Sequence, residues 1–226
     1  MLEDHKTIAK DIIDLAQEYG AEQVSVSLAK STSFQVDVRE QKIDSLQESG
    51  SSGIHLTVSK NKRRSTVSSN DFRAETLAPL IRSTMEALPY MGADEYYSLP
   101  DPELQGRAPG ELEFLDPDYD KLSSEEKVQI PLDLEEMSLE ADQKLKTEQS
   151  FYSDSISYMV HADSNGFLEG ETKTIYSMGI SMIADDIEST SKGSSESTNV
   201  GRKQTDGWYS AARFYKNLTP SKEIVE

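Results

Sequence analysis

Three histidines are the obvious candidates for chemistry, and their neighbours argue against it. Zinc hydrolysis on a helix needs two histidines one turn apart, with a glutamate beside the first. His5 is followed by Lys6, His55 by Leu56 and His161 by Ala162, and none has a histidine one helical turn on. They read as ordinary surface or strand residues. The run DPDYDKLSSEEK sets Asp116, Asp118 and Asp120 at alternate positions, as a calcium loop does. Such a loop then needs a glycine for its turn and a bidentate glutamate to close it, and Lys121 and Lys127 stand in those places. The stretch reads as an acidic connector. KNKRR gathers Lys60, Lys62, Arg63 and Arg64 without the aromatic residues that would stack nucleic-acid bases. It reads as a charged turn, able to dock an acidic patch on a partner or on this chain's own connector. SGSSGI lacks the Gly-Lys-Ser/Thr ending of a phosphate cradle, and no Gly-x-Ser-x-Gly elbow occurs. Cysteine is absent, which excludes disulfides, thiolate catalysis and cysteine metal sites. Carboxylates are abundant, but abundance without geometry nominates no acid/base couple. WYSAARFY, with the only tryptophan, reads as core, with an interface anchor as the alternative.

Composition sets the bounds. The chain has 226 residues and a net charge of −18. A chain of this length can bury roughly 70% of its unfolded surface. So acidic a surface repels nucleic-acid phosphate. About two-thirds of the excess charge lies between Asp94 and Glu148, which hold 17 acids and 5 bases. No stretch approaches the run of apolar residues that a membrane helix requires, and the start, MLEDHKTIAKD, lacks the layout of a signal peptide. A cytoplasmic location is the simplest expectation.

The elements follow from periodicity. Ile8, Ile12, Leu15, Ala16 and Tyr19 form one helical stripe, stopped at Gly20. Val24, Val26 and Leu28, then Phe34, Val36 and Val38, then Ile54, Leu56 and Val58 alternate as half-buried strands do. SGSSG (Ser49 to Gly53) and KNKRR (Lys60 to Arg64) are expected to be turns, and Ile43 to Leu46 breaks alternation as a bulge would. Leu77, Ile81, Met85 and Leu88 predict a second helix. Pro79 places its start near an N-capping Thr76, where a missing N–H is harmless. Pro89 to Pro131 holds six of the eight prolines and reads as an extended connection. A third helix is expected from about Leu132 to Thr147 on Leu134, Met137, Ala141 and Leu145. Ile156, Tyr158 and Val160 lead to Asn165-Gly166, a pair suited to a type I′ turn. Tyr176, Met178, Ile180 and Met182 form the return strand. SKGSSEST is expected to be a polar loop, and GWYSAARFY a strand or a helix. LTPSKEIVE looks like a helix beginning at an N-capping Thr219 with Pro220 at its first position.

The ordered set SNGF (Ser164 to Phe167), YSMGISMIADD (Tyr176 to Asp186) and WYSAARFYKNLTPSKEIV (Trp208 to Val225) resembles the PmbA/TldE branch of the modulator-of-DNA-gyrase family. Upstream, the helix followed by Gly20-Ala21 and a strand, and the step STVSSNDF into the second helix, agree in order. The resemblance implies the N-terminal domain of a longer protein. In that family TldD-type and TldE/PmbA-type subunits pair in a cytoplasmic metallopeptidase complex, linked to processing of a microcin precursor and degradation of an antitoxin. It also implies that a helical His-Glu…His zinc site belongs to the TldD-type subunit, in a part of the chain after this domain. No catalytic, cofactor or metal residue is therefore expected within these 226 residues.

The expected fold is α+β: antiparallel sheet with helices packed on one face, and an internal duplication of helix plus antiparallel strands. The whole of 1–226 is expected to be one N-terminal domain, its first half about 1–88, an acidic proline-rich connector about 89–131, a second half about 132–218 and a truncated helix about 219–226. The expected role is non-catalytic: dimerisation with a TldD-like subunit or with itself, and access for an unfolded peptide. Ser164, Asn165, Gly166, Phe167, Trp208 and Tyr209 are the candidate contacts. No nucleic acid or membrane partner is expected. The alternative is a free-standing acidic adaptor domain; a self-sufficient hydrolase fits least, because its parts cannot be assembled.

Overall fold

Runs of alternating β-branched and aromatic residues build most of this molecule. The computed structural model describes residues 1–106, 112–185 and 203–225. Its elements are α1 (Leu2–Glu18), β1 (Gln23–Arg39), β2 (Lys42–Lys60), β3 (Arg63–Ser69), α2 (Ala74–Ala87), α3 (Ser124–Ala141), β4 (Leu145–Asp163), β5 (Leu168–Asp185), β6 (Lys203–Ala212) and α4 (Ser221–Val225). The strands form one six-stranded antiparallel sheet in the order β3-β2-β1-β4-β5-β6, giving the expected α+β class. A helix, three antiparallel strands and a helix succeed one another twice along the chain.

By contacts the chain divides into two compact units. One comprises 1–32, 50–114 and 156–173; the other comprises 33–49, 115–155 and 174–226. In the first unit Val24, Val26, Leu28, Ile54, Leu56 and Val58 are buried on one sheet face, under Ala9, Ile12, Ile13 and Ala16 of α1 and Leu77 and Ile81 of α2. α1 stops as expected. Gly20 has φ +90°, and the N–H groups of Gly20 and Ala21 donate to the carbonyls of Gln17 and Ala16, a Schellman ending. In the second unit Phe34, Val36, Val38, Tyr152, Tyr176, Met178 and Ile180 are buried with Leu134 of α3.

The hairpin turns differ from expectation. SGSSG is not a turn; it lies inside β2, where the hydroxyls of Ser51 and Ser49 meet those of Ser31 and Ser33 at 2.8 Å each. Cross-strand hydroxyl pairing holds these small residues extended. The chain reverses instead at Glu40-Gln41, with φ 54° and 56°, and at Asn61-Lys62, with φ 51° and 58°. Both are two-residue loops of the primed kind that suits strand twist. Glu40 and Gln41 are poor formers of such a turn. It exists because the Glu135 carboxylate accepts both backbone N–H groups, at 2.8 and 2.6 Å. A two-residue turn sets Arg39 opposite Lys42, yet Ser45 shares a face with Asp37, to which it donates at 2.6 Å. One extra residue between Lys42 and Ser45 reconciles the two.

Asn165-Gly166 is not a type I′ turn either: only Gly166, at φ +100°, is left-handed. The Gly166 N–H donates to the Asp163 carbonyl and the Asp163 N–H to the Phe167 carbonyl. That is a three-residue loop closed by a glycine bulge. The Asp163 carboxylate selects it by accepting from the Asn165 N–H at 2.8 Å.

The helices also shift. α2 begins at Ala74, not Thr76, so Pro79 lies within it. The Thr76 hydroxyl is engaged by the Asp71 carboxylate, which also takes the Arg73 N–H and leads the chain in earlier. α3 begins at Ser124, not Leu132, because Ser123 and Glu126 form a capping box. It ends at Ala141, so Leu145 is the first residue of β4. Its buried residues are Pro131, Leu134, Glu135 and Ser138, in place of the predicted stripe through Met137 and Ala141. α4 begins at Ser221, and its Glu223 and Ile224 N–H groups donate to the Pro220 carbonyl, so the cap position is Pro220 and not Thr219. SKGSSEST lies outside the described residues.

Candidate interaction surfaces

In both units the helices take one face of the strands and leave the other to serine and threonine. In the first unit this open face carries Ser27 bonded to His161 Nδ1 at 2.9 Å, Ser68 bonded to His55 Nδ1 at 2.8 Å, and Thr57 paired with Thr66 at 2.9 Å. In the second unit the Asp37 carboxylate accepts from Gln35, Ser45 and Gln149, and Ser153 pairs with Ser177. Sequence reading passed over this face. The signal was present in the alternating serines of VSVSLAKSTSF and SFYSDSISY.

The Ser27–His161 and Ser68–His55 pairs have the first two members of a nucleophilic triad but no third. Activation needs a group that orients the imidazole, and among the described residues no carboxylate bonds either ring. His5 is different in kind: it is buried, with Phe72 and Tyr158 edge-on at 5.8 and 6.4 Å. Burial, then Lys30 and the N-terminus, lower its pKa below the usual imidazole value. No group of three or more His, Asp or Glu residues among those described is arranged to hold a metal ion. The described residues therefore do not fit a metal centre, and no metal-assisted step is derived from them.

The second unit holds a buried polar cluster. Asp154 accepts from the Tyr119 hydroxyl at 2.6 Å, the Tyr152 hydroxyl at 2.9 Å and the Lys127 ammonium at 2.7 Å. The Lys127 ammonium also lies 5.1 Å from the Phe34 ring centre and 5.3 Å from that of Tyr119. Burial first, and the Asp154 charge with its hydrogen bonds, push both phenols far above the ordinary tyrosine value. They stay protonated and donate. Nearby, Asp116 accepts from the backbone N–H groups of Tyr215 at 2.9 Å and Asp118 at 3.0 Å. Burial opposes its ionisation, but these donors together with Tyr176 and the Lys216 charge outweigh it, and its pKa lies below the usual value. Asp154, Asp116 and the Lys127 ammonium are each spent on neighbours, which makes their role structural.

The predicted contact residues fall in different units. Ser164 to Phe167 closes the β4–β5 hairpin in the first unit, and its polar groups are used internally. The Val24 N–H donates to Ser164 Oγ at 3.0 Å, the Ser164 N–H to the Val24 carbonyl, and the Asn165 amide to the Pro100 carbonyl. Trp208 and Tyr209 lie on β6 in the second unit, opposite Ile180 and Gly179. Contrary to the core reading, they are 63% and 69% exposed. β6 is the last strand of the sheet order, so among the described strands it is paired on one side only. Tyr209 is seated closely: a Cβ on Gly179 would lie 2.6 Å from the Tyr209 Cβ and 2.9 Å from the Phe151 ring. Tyr209 is thus fixed at its base, and the rings of both residues are exposed.

Comparison with known proteins agrees with this architecture. The model of the PmbA/TldA metallopeptidase domain 1 matches residues 24–88, and that of the PmbA/TldA metallopeptidase central domain matches 117–226. The chain is 22% identical over 232 residues to the metalloprotease PmbA of Escherichia coli O157:H7, covering 98% of this chain and 51% of that one. It is 25% identical over 181 residues to the metalloprotease PmbA homolog of Buchnera aphidicola, covering 80% and 40%. It therefore spans about half the length of the curated relatives it matches. Among solved structures, a candidate modulator of DNA gyrase from Bacteroides thetaiotaomicron superimposes with a TM-score of 0.80 at 21% identity, over 98% of this chain and 48% of the other. TldE from Thermococcus kodakarensis gives 0.76 at 14%, over 96% and 45%. With both family domains in order along a sheet of the same fold, the chain belongs to the PmbA/TldE family of the metallopeptidase-related modulators of DNA gyrase.

Proposed function

We propose that this chain is the non-catalytic, supporting part of a PmbA/TldE-like subunit in a cytoplasmic metallopeptidase complex. It pairs with a TldD-like subunit or a second copy and guides an extended, unfolded peptide; any zinc chemistry resides in the TldD-type partner. The observation that carries this reading is β6. Among the described strands the ten residues of β6 have a neighbour on one side only, and two exposed aromatics on it give a partner strand something to grip. Trp208 and Tyr209 make the contact, while the polar groups of Ser164, Asn165, Gly166 and Phe167 are engaged within their own unit.

Trp208 is the only tryptophan, so its fluorescence reports the edge directly. Adding a TldD-like subunit or an unfolded polypeptide is expected to shift its emission to the blue. Trp208→Phe with Tyr209→Ala should weaken capture at least tenfold, as anchoring aromatics do. Emission that stays unchanged under saturating partner and peptide defeats the proposal, as does peptide cleavage by this chain alone with added zinc.

A further inference from the structure

A cavity in the first unit carries the opposite charge from the rest of the chain. Its volume is about 650 Å³, within the range of small-molecule sites. It lies between the β2–β3 turn, α2 and the residues that follow α2. Lys60, Arg63 and Arg82 line it, with Glu86 as the carboxylate in its wall. Its apolar side is made by Met85, Leu88 and the Tyr19 ring.

The state of these cations is the informative point. Acids outnumber bases 41 to 23 in this chain, so a base without an acid partner needs a reason. The neighbouring Arg64 has one: it lies 3.7 Å from Asp94 and stacks over Tyr97, docking the start of the connector. None of the three cavity cations lies within ion-pair distance of a described carboxylate, and the one acid that acts on them, Glu86, attracts Arg82 from one helical turn away. Arg63 donates to the Pro89 carbonyl. Arg82 donates weakly to the Tyr19 hydroxyl at 3.4 Å, its guanidinium 5.4 Å from that ring centre. A Cβ on Gly20 would lie 2.9 Å from Lys60 Nζ, so this ammonium rests against the C-terminal end of α1. Like charges gathered around one hollow repel, and an anion seated among them relieves that repulsion while using their free N–H donors.

We propose that this cavity binds an organic oxyanion, a phosphate or carboxylate borne on an apolar or aromatic body. The oxygens meet Arg82, Lys60 and the outward N–H groups of Arg63, while the body lies on Met85, Leu88 and Tyr19. Guanidinium groups suit the planar, forked geometry of such oxygens. The site is separate from β6 and does not depend on the reading given to that edge.

Met85 supplies a local reporter, because the other six methionines do not line the cavity. In the 226-residue chain with labelled methionine methyls, phenyl phosphate and 3-phenylpropionate are titrated separately, with benzyl alcohol as the neutral control. Either anion should shift the Met85 methyl saturably and leave the others in place, and benzyl alcohol should not. Arg82→Gln and Lys60→Gln should each weaken binding about tenfold, the scale of one charge-assisted hydrogen bond. Raising the salt should weaken it further. The stronger of the two anions identifies the headgroup. The proposal fails if neither anion moves Met85, if benzyl alcohol moves it equally, or if the variants, with unchanged spectra elsewhere, bind as well as the parent chain.

Discussion

The two units solve the same problem, a sheet face that must be covered, with different chemistry. The first is covered by aliphatic side chains: isoleucine, valine, leucine and alanine from α1, α2 and the strands fill its core. The second buries Tyr152 and Tyr176 and also the carboxylates of Asp154, Asp116 and Glu135, each accepting more than one bond. Apolar packing is non-directional and tolerates small changes. A buried carboxylate fixes particular donors in place, and removing it strands every one of them.

The largest expected contrast tests that difference. Asp154→Ala leaves the Lys127 ammonium and two phenols without their acceptor, and should cost about 3–5 kcal/mol of unfolding free energy. Ile81→Ala, at a fully buried position of the first unit, should cost about 3 kcal/mol through lost packing. Replacing both charges, Asp154→Leu with Lys127→Met, should recover the share of the loss that comes from stranding the ammonium, while Tyr119 and Tyr152 still lack their acceptor. Urea unfolding measures all three. If the double variant is no better than Asp154→Ala, the cluster is held by something other than its charges.

A smaller effect is expected at Glu135. Glu135→Gln weakens the acceptors of the Glu40-Gln41 turn and should cost about 1–3 kcal/mol, with faster amide exchange at Glu40 and Gln41. The Asn61-Lys62 turn should be unaffected, which makes it the internal control.

Acid should separate the units by pH. His5 has a lowered folded pKa, so its neutral form belongs to the fold. Its contribution is complete above the unfolded value near 6.5 and is lost as pH falls from there through the folded value. Asp116 is also lowered, from an ordinary value near 3.8, so its contribution survives until pH falls below that value and then through the folded one. Acidification from neutral pH should therefore loosen the first unit before the second. His5→Phe should abolish the early phase as followed by amide exchange in α1. An early phase that persists in that variant assigns it to another group.

Much of the fold was legible in the sequence, and the misses share a cause. Val24 to Val38 and Ile54 to Val58 declared their buried faces by period two, and the α1 stripe with Gly20 declared a helix and its end. What escaped was decided by side chains distant in sequence. Ser49 to Gly53 has turn composition, but the hydroxyls of β1 hold it extended. Glu40-Gln41 has no turn signal at all, because Glu135 makes the turn. Pro131 suggested a boundary, although Ser123 and Glu126, visible as a capping box, had already opened α3. The aromatic segment at Trp208 has the composition of core, and its place at the end of the described strand order is something no local pattern reveals. The cationic cavity was half legible: KNKRR was noticed, but Arg82 joins it only through the packing of α2.

The Glu135 clasp bears on how this protein emerges from the ribosome. The Asn61-Lys62 reversal carries its own preference and can close as soon as its flanking strands are made. The Glu40-Gln41 reversal must wait until a carboxylate nearly a hundred positions later has been synthesised, roughly 5–20 s at ordinary elongation rates. During that interval the distal half of the first β-hairpin is an unlatched ribbon. A nascent chain arrested before α3 should therefore show protected amides around Asn61 and freely exchanging ones around Glu40.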